Sequence, residues 1–120
     1  MKFMKKYDIV PIAYCPVARG IESVNSSNGK EIGTHLYANK TLNELAEKYK
    51  KSCAQIMLNW GLQRGHILIP KSNSIERQQE NIDCLSFKLT DEEVAALTAI
   101  DAGARLCTGE NHFPGGNVFG

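Results

Sequence analysis

The sequence has almost no excess of charge: 14 Lys and Arg stand against 13 Asp and Glu, for a formal net charge of +1 over 120 residues. That balance argues against a nucleic-acid arm, a polybasic membrane anchor or an acidic tail. No apolar run approaches the ~20 residues that a membrane-spanning helix needs. Repeats and low-complexity tracts are missing too. The four cysteines, Cys15, Cys53, Cys84 and Cys107, are 38, 31 and 23 residues apart, so there is no CxxC pair. A tetrahedral zinc site brings its ligands in close pairs, which argues against structural zinc. An even count would allow two disulfides in a secreted protein, but isolated cysteines in a mixed helix and strand sequence read as reduced thiols. A secretory signal is loosely mimicked by the basic residues 1–6 and the apolar residues 9–18, but Asp8, Pro11 and Pro16 interrupt the stretch. A short strand behind a charged helix end is the better reading. With no targeting segment, the expected location is the cytoplasm.

What is present is a globular composition, 42% apolar and 22% charged, of a size for one small domain. Residues 9–14 form a short apolar run bounded by Asp8 and Pro16, consistent with a buried strand. Pro11 cannot donate to a sheet ladder. Either the strand starts at Ile12, or Pro11 occupies an edge or a bulge. Residues 19–40 show no period and read as a long loop. Residues 41–49 read as a helix opened by a Thr41-x-x-Glu44 capping box, with Leu42, Leu45, Ala46 and Tyr49 on one face. Ser52-x-x-Gln55 opens a second helix, apolar on most sides, which Gly65 ends. Residues 66–70 read as a second buried strand closed by Pro70, and Ser74 caps a helix over 75–84. Thr90-x-x-Glu93 is a third capping box, with Leu89 and Val94 placed for a hydrophobic staple and a helix running to about Ile100. Residues 101–120 are a Gly-rich tail. Strands alternating with helices imply an α/β fold with a parallel sheet. Two strands cannot make a sheet covered on both faces. The sequence therefore reads as a piece of a larger α/β structure.

The stretch Ile69-Pro-Lys-Ser-Asn-Ser-Ile-Glu-Arg77 carries the chemistry. Lys71 and Ser72 follow a strand, Ser74 caps a helix, and Arg77 lies in its first turn. Two cations, hydroxyls and a helix N-terminus make a sound phosphate site. Read on spacing alone, the same cations could equally be solvated charges at a helix start.

These residues, with Ala13-Tyr-Cys-Pro-Val-Ala-Arg-Gly20, Ala54-Gln55, Trp60, Leu62-Gln-Arg-Gly65, Glu76-Arg77 and Glu80-Asn81, resemble the C-terminal part of the aldo-keto reductase family over residues 3–105. The resemblance implies the end of a (β/α)8 barrel that reduces small-molecule carbonyls with NADPH. Residues 9–14 would be the seventh strand and 67–70 the eighth, with flanking helices and an incomplete barrel. Tyr14 would stack on the nicotinamide, unless it is a core aromatic at a strand end. Cys15, Pro16 and Val17 would line the pyrophosphate loop; the family often has Ser where Cys15 stands, and a thiol is a weaker donor. Lys71, Ser72, Asn73 and Arg77 would hold the 2′-phosphate and adenosine, and Glu80 and Asn81 the adenine. The family's catalytic residues lie upstream of the matching region, so no catalytic residue and no metal ligand is assigned. His35, His66 and His112 match nothing in the family and read as surface or structural. The tail over 111–119 resembles the family's C-terminal loop over the substrate pocket.

The expectation is therefore a single partial domain that binds NADPH without the catalytic groups. Open strand edges and bare apolar faces imply an unstable chain, or a partner chain over the open barrel edge. The alternative is a non-catalytic truncated paralogue that binds a dinucleotide or a partner. A third reading is a DNA-binding helix-turn-helix over residues 41–64, which offers a base edge only Gln55. Its neutral charge argues against it, and neither nucleic acid nor membrane is an expected partner.

Overall fold

The computed structural model describes residues 2–18, 20 and 36–101. Within them the order is α1 (Lys2–Lys6), β1 (Ile12–Tyr14), α2 (Lys40–Tyr49), α3 (Cys53–Gln63), β2 (Ile67–Ile69), α4 (Ile75–Asp83) and α5 (Asp91–Thr98). The long-loop reading falls mostly on residues 19 and 21–35, and the tail on 102–120; both lie outside the described residues. None of the described helices is long and apolar enough to cross a membrane.

Capping chemistry sets the helix starts. Ser52 and Thr90 form complete capping boxes with Gln55 and Glu93, as their spacing predicts. Ser74 caps α4 by accepting from the Arg77 N–H at 3.3 Å. The expected Thr41 box is not what opens α2. Asn39 is the cap, with its Oδ1 accepting from Leu42 N at 3.3 Å. Asn outranks Thr at an N-cap, and placing it there adds Lys40 to the helix. α3 stops where Gly65 takes φ +81°, a left-handed conformation that costs a glycine little.

The apolar faces of α2 and α3 meet in one core. Leu42, Leu45, Ile56, Met57, Leu89 and Leu97 are buried together, with Tyr49, Trp60, Phe87 and Val94 packed against them. α3 is central: it packs on α2, α4, α5 and β2. Its approach to β2 depends on Gly61, where an added Cβ would come 3.0 Å from a Leu68 methyl.

β1 and β2 pair in parallel, with Ile12 opposite Ile67, Ala13 opposite Leu68 and Tyr14 opposite Ile69. Of the two readings of Pro11, the shorter strand holds. Proline lacks the N–H, but its carbonyl accepts from Ile67 N at 2.9 Å. The expected burial of both strands is corrected. Ala13 and Leu68 are partly covered, whereas Ile12, Tyr14, Ile67 and Ile69 are 61%, 58%, 49% and 54% exposed. Side chains alternate across a sheet, so a helix layer on one side covers only alternate residues. Among the described residues the opposite face has no such layer, and it is apolar throughout.

One ion pair ties α2 to α5. Glu93 accepts from Lys48 Nζ and Tyr49 Oη, both at 2.6 Å, and from Thr90 N at 2.8 Å. Burial pushes the Glu93 carboxyl up, but the Lys48 and Tyr49 hydrogen bonds overcome it and hold the group below the usual carboxylate range. A carboxyl depressed by folding stabilises the fold above its unfolded pKa of about 4.3, and that stabilisation is lost as pH falls through the folded value. Glu93→Gln should therefore cost about 1 kcal/mol near neutral pH. The deficit should shrink at about pH 4 and below. Urea unfolding at both pH values checks this, and a pH-independent deficit would contradict it.

Candidate functional site

Because the two strands are parallel and in register, their C-terminal ends leave the sheet side by side. The segment after Tyr14 and the segment after Ile69 therefore emerge at one edge. This is where ligands sit in α/β folds, beyond the carboxyl ends of parallel strands.

The first segment is a tight turn. Ala18 N donates to Cys15 O at 3.0 Å, and Gly20 N donates to Val17 O at 2.9 Å. Cys15 and Ala18 have φ of +49° and +50°, left-handed values that cost a residue with a Cβ roughly 1–2 kcal/mol each. Tyr37 donates its hydroxyl to the same Val17 carbonyl at 3.0 Å. Ala18 is buried, Cys15, Pro16 and Val17 are half-buried, and the Tyr14 ring stands on the open face.

The second segment is an ST turn leading into α4. Ser72 Oγ accepts from Ser74 N at 3.2 Å, and Ser72 O accepts from Gln78 Nε2 at 3.0 Å. Lys71, Asn73 and Arg77 are exposed there, and Ser72 is half-buried. One turn further along α4, Glu80 is exposed and Asn81 half-buried. Ser74 Oγ also donates to Glu76 Oε2 at 2.5 Å. That bond holds the Glu76 carboxyl below its ordinary range. The helix start thus already faces one carboxylate, so an incoming anion depends on the two cations more than on the helix end.

α4 has no buried residue of its own. It is held from α3 by two buried amides one turn apart. Gln55 donates to Glu80 O at 3.1 Å and to Asp83 Oδ2 at 2.7 Å. Asn59 donates to Cys84 O at 2.9 Å and Phe87 O at 2.8 Å, and accepts from Leu89 N at 3.3 Å. Lys51 adds an ion pair to Asp83 at 2.6 Å. Gln55, the residue that a helix-turn-helix would offer to a base edge, is 5% exposed. Its amide is engaged inside the fold.

All ten residues assigned to a cofactor from the sequence therefore lie on the two segments and the helix that follows the second. Sequence reading missed the groups that hold them. Gln55 and Asn59 carried a signal: two amides at i, i+4 in an otherwise apolar helix. Nothing in the sequence connects Tyr37 to Val17, 20 positions away. Among the described residues there is no cluster of three metal-ligating side chains. Among the described residues Cys15, Cys53 and Cys84 form no disulfide with one another.

Residues 1–102 match the family model described as Aldo/keto reductase family. Among curated relatives, the chain is 38% identical over 101 residues to the NADP-dependent D-sorbitol-6-phosphate dehydrogenase of Malus domestica, covering 84% of this chain and 31% of that protein. It is 38% identical over 107 residues to aldo-keto reductase family 1 member D1 of Oryctolagus cuniculus, covering 88% of this chain and 31% of that protein. Among solved structures, an aldo-keto reductase of the silkworm Bombyx mori superposes with a TM-score of 0.76 at 30% identity, over 98% of this chain and 34% of that one. The chain is α/β and belongs to the aldo/keto reductase family, whose solved members imply a (β/α)8 barrel. It spans about a third of the length of the curated relatives it matches, 22% to 37% for four of them.

Proposed function

We propose that this chain is the NADPH-binding, C-terminal part of an aldo-keto reductase that reduces small-molecule carbonyl compounds. β1 and β2 are then the seventh and eighth strands of the barrel. The observation that carries the reading is the parallel register, which delivers residues 14–17 and 71–77 to one sheet edge. The donor set suits this dinucleotide. Lys71 and Arg77 are exposed cations beside hydroxyl and amide donors, matched to a phosphate dianion. Tyr14 presents an uncovered aromatic ring for stacking. A relative named as NADP-dependent supports the same cofactor.

When bound, NADPH supplies the hydride. The residues of this chain bind and orient it: Tyr14 at the nicotinamide, Cys15, Pro16 and Val17 along the pyrophosphate, Lys71, Ser72, Asn73 and Arg77 at the 2′-phosphate and adenosine, and Glu80 and Asn81 at the adenine. No residue of this chain is assigned the proton transfer. The bare face formed by Ile12, Tyr14, Ile67 and Ile69 is the lining that the remaining barrel strands would close over. The same face favours a second reading, a non-catalytic paralogue in which a partner chain covers it.

The test is a titration of the native polypeptide with NADPH and NADH, followed by nicotinamide fluorescence, with the intact mass measured on the same sample. NADPH should bind more tightly than NADH. A mass near that of a complete barrel, ~250 residues, identifies the reductase. A mass of 13.3 kDa with dinucleotide binding identifies the paralogue. Absence of binding to either cofactor overturns the cofactor reading, and copurification of a partner chain would then be needed to support the paralogue.

A further inference from the structure

The geometry points to Tyr37 as a positioning residue that locks the turn over residues 15–18 in its cofactor-receiving shape, an inference that rests on the cofactor reading above. The turn is strained by two left-handed residues, Cys15 and Ala18. Such a conformation persists only where its surroundings over-determine it. One hydrogen bond across the turn, from Ala18 N to Cys15 O at 3.0 Å, is local. A tie to the rest of the fold is the Tyr37 hydroxyl, which donates to Val17 O at 3.0 Å from 20 residues away.

Tyr37 is itself anchored. Its carbonyl accepts from Asn43 Nδ2 at 2.9 Å, and the same amide donates to Asn39 O at 2.8 Å. The α2 start, the Tyr37 backbone, the Tyr37 hydroxyl and the Val17 carbonyl thus form one connected chain. Both Val17 and Tyr37 also pack against the helical core. Burial, and secondarily the neighbouring Cys53, pushes the Tyr37 phenol up to about 12, so the hydroxyl remains a donor at any physiological pH. The group that receives this hydrogen bond, the Val17 carbonyl, ends Cys15, Pro16 and Val17, the proposed pyrophosphate segment. Holding that segment in place before the cofactor arrives avoids an ordering cost at binding.

The test is Tyr37→Phe in the complete native polypeptide, which removes one oxygen and keeps the ring. Two ligands are titrated: NADPH, which spans both segments, and adenosine 2′-monophosphate, which lacks the pyrophosphate and reaches only the Lys71 and Arg77 side. The expected result is a loss of about tenfold in NADPH affinity, what one hydrogen bond is worth. The 2′-monophosphate affinity should be unchanged. Hydrogen exchange supplies a readout that needs no ligand: the Ala18 and Gly20 amides should exchange faster in the variant. Equal losses for both ligands would mean a general structural role and overturn the assignment. So would unchanged NADPH affinity. If the unmodified polypeptide binds neither ligand but the two amides still exchange faster in the variant, the cofactor reading fails while the turn lock stands. Unchanged exchange removes the lock itself.

Discussion

Replacing Asn59 by leucine should destabilise the protein by about 4 kcal/mol, a large part of the 5–15 kcal/mol that holds a typical domain together. The side chain is 5% exposed and satisfies three backbone groups at once, the carbonyls of Cys84 and Phe87 and the N–H of Leu89. Leucine has similar volume but can replace none of these bonds. Each buried group left unpaired costs about 1–3 kcal/mol. Asn59→Asp separates the donor role from the acceptor role. A carboxylate can still accept from Leu89 N, but it sets negative charge against two carbonyl oxygens, so it should be at least as damaging near neutral pH. Equilibrium urea unfolding of the three proteins measures the effect. A loss below about 1 kcal/mol in both variants would show that the chain between α4 and α5 finds other partners or water.

The consequence reaches beyond stability. α4 buries none of its own residues, so its position comes from bonds made to α3. Gln55 and Asn59, one turn apart, hold its C-terminal half and the chain that leaves it. Arg77, Glu80 and Asn81 are thereby placed by buried side chains of the neighbouring helix. The Asn59 variants should accordingly weaken binding at the adenosine end as well.

How far the sequence anticipates this arrangement differs from element to element. Ser52, Ser74 and Thr90 mark helix starts that the structure confirms, because a side-chain cap is a local event between residues three apart. The same local reasoning misplaces the α2 cap, where Asn39 and Thr41 compete and intrinsic ranking decides. The strand over residues 9–14 shortens to three residues because Pro11 removes a donor. Its burial is overestimated for a different reason. An apolar run shows that a strand suits a covered sheet, not that a cover is present among the residues described. The proposed cofactor segments are legible because their residues lie close together in sequence, at the ends of two strands. Tyr37 and Asn59 are not, since their partners lie 20 to 30 positions away and only the folded topology brings them together.

Lys71→Met combined with Arg77→Met should lower NADPH affinity by about 100-fold and NADH affinity by no more than a few-fold. The two cofactors differ by the 2′-phosphate alone, so the ratio of affinities isolates what the cations do. A hydrogen-bonded cation on a phosphate is worth about 1.5–3 kcal/mol, or roughly tenfold or more each. Both side chains are exposed, which lowers the value of each toward the bottom of that range. Glu76 sets the direction of the argument. Its carboxylate lies at the helix start, drawn there by the Ser74 hydroxyl, and it opposes any anion arriving at α4. The helix end cannot hold the phosphate unaided, so removing both cations should leave no preference for NADPH over NADH. Raising the salt concentration should shrink the preference of the unmodified protein, because exposed charges are screened within about 8–10 Å at 0.10–0.15 M salt. The double variant, with no preference left to screen, should show no such dependence. If NADPH and NADH lose affinity in equal measure, the two residues shape the loop rather than read the phosphate, and selectivity must come from Ser72 and Asn73.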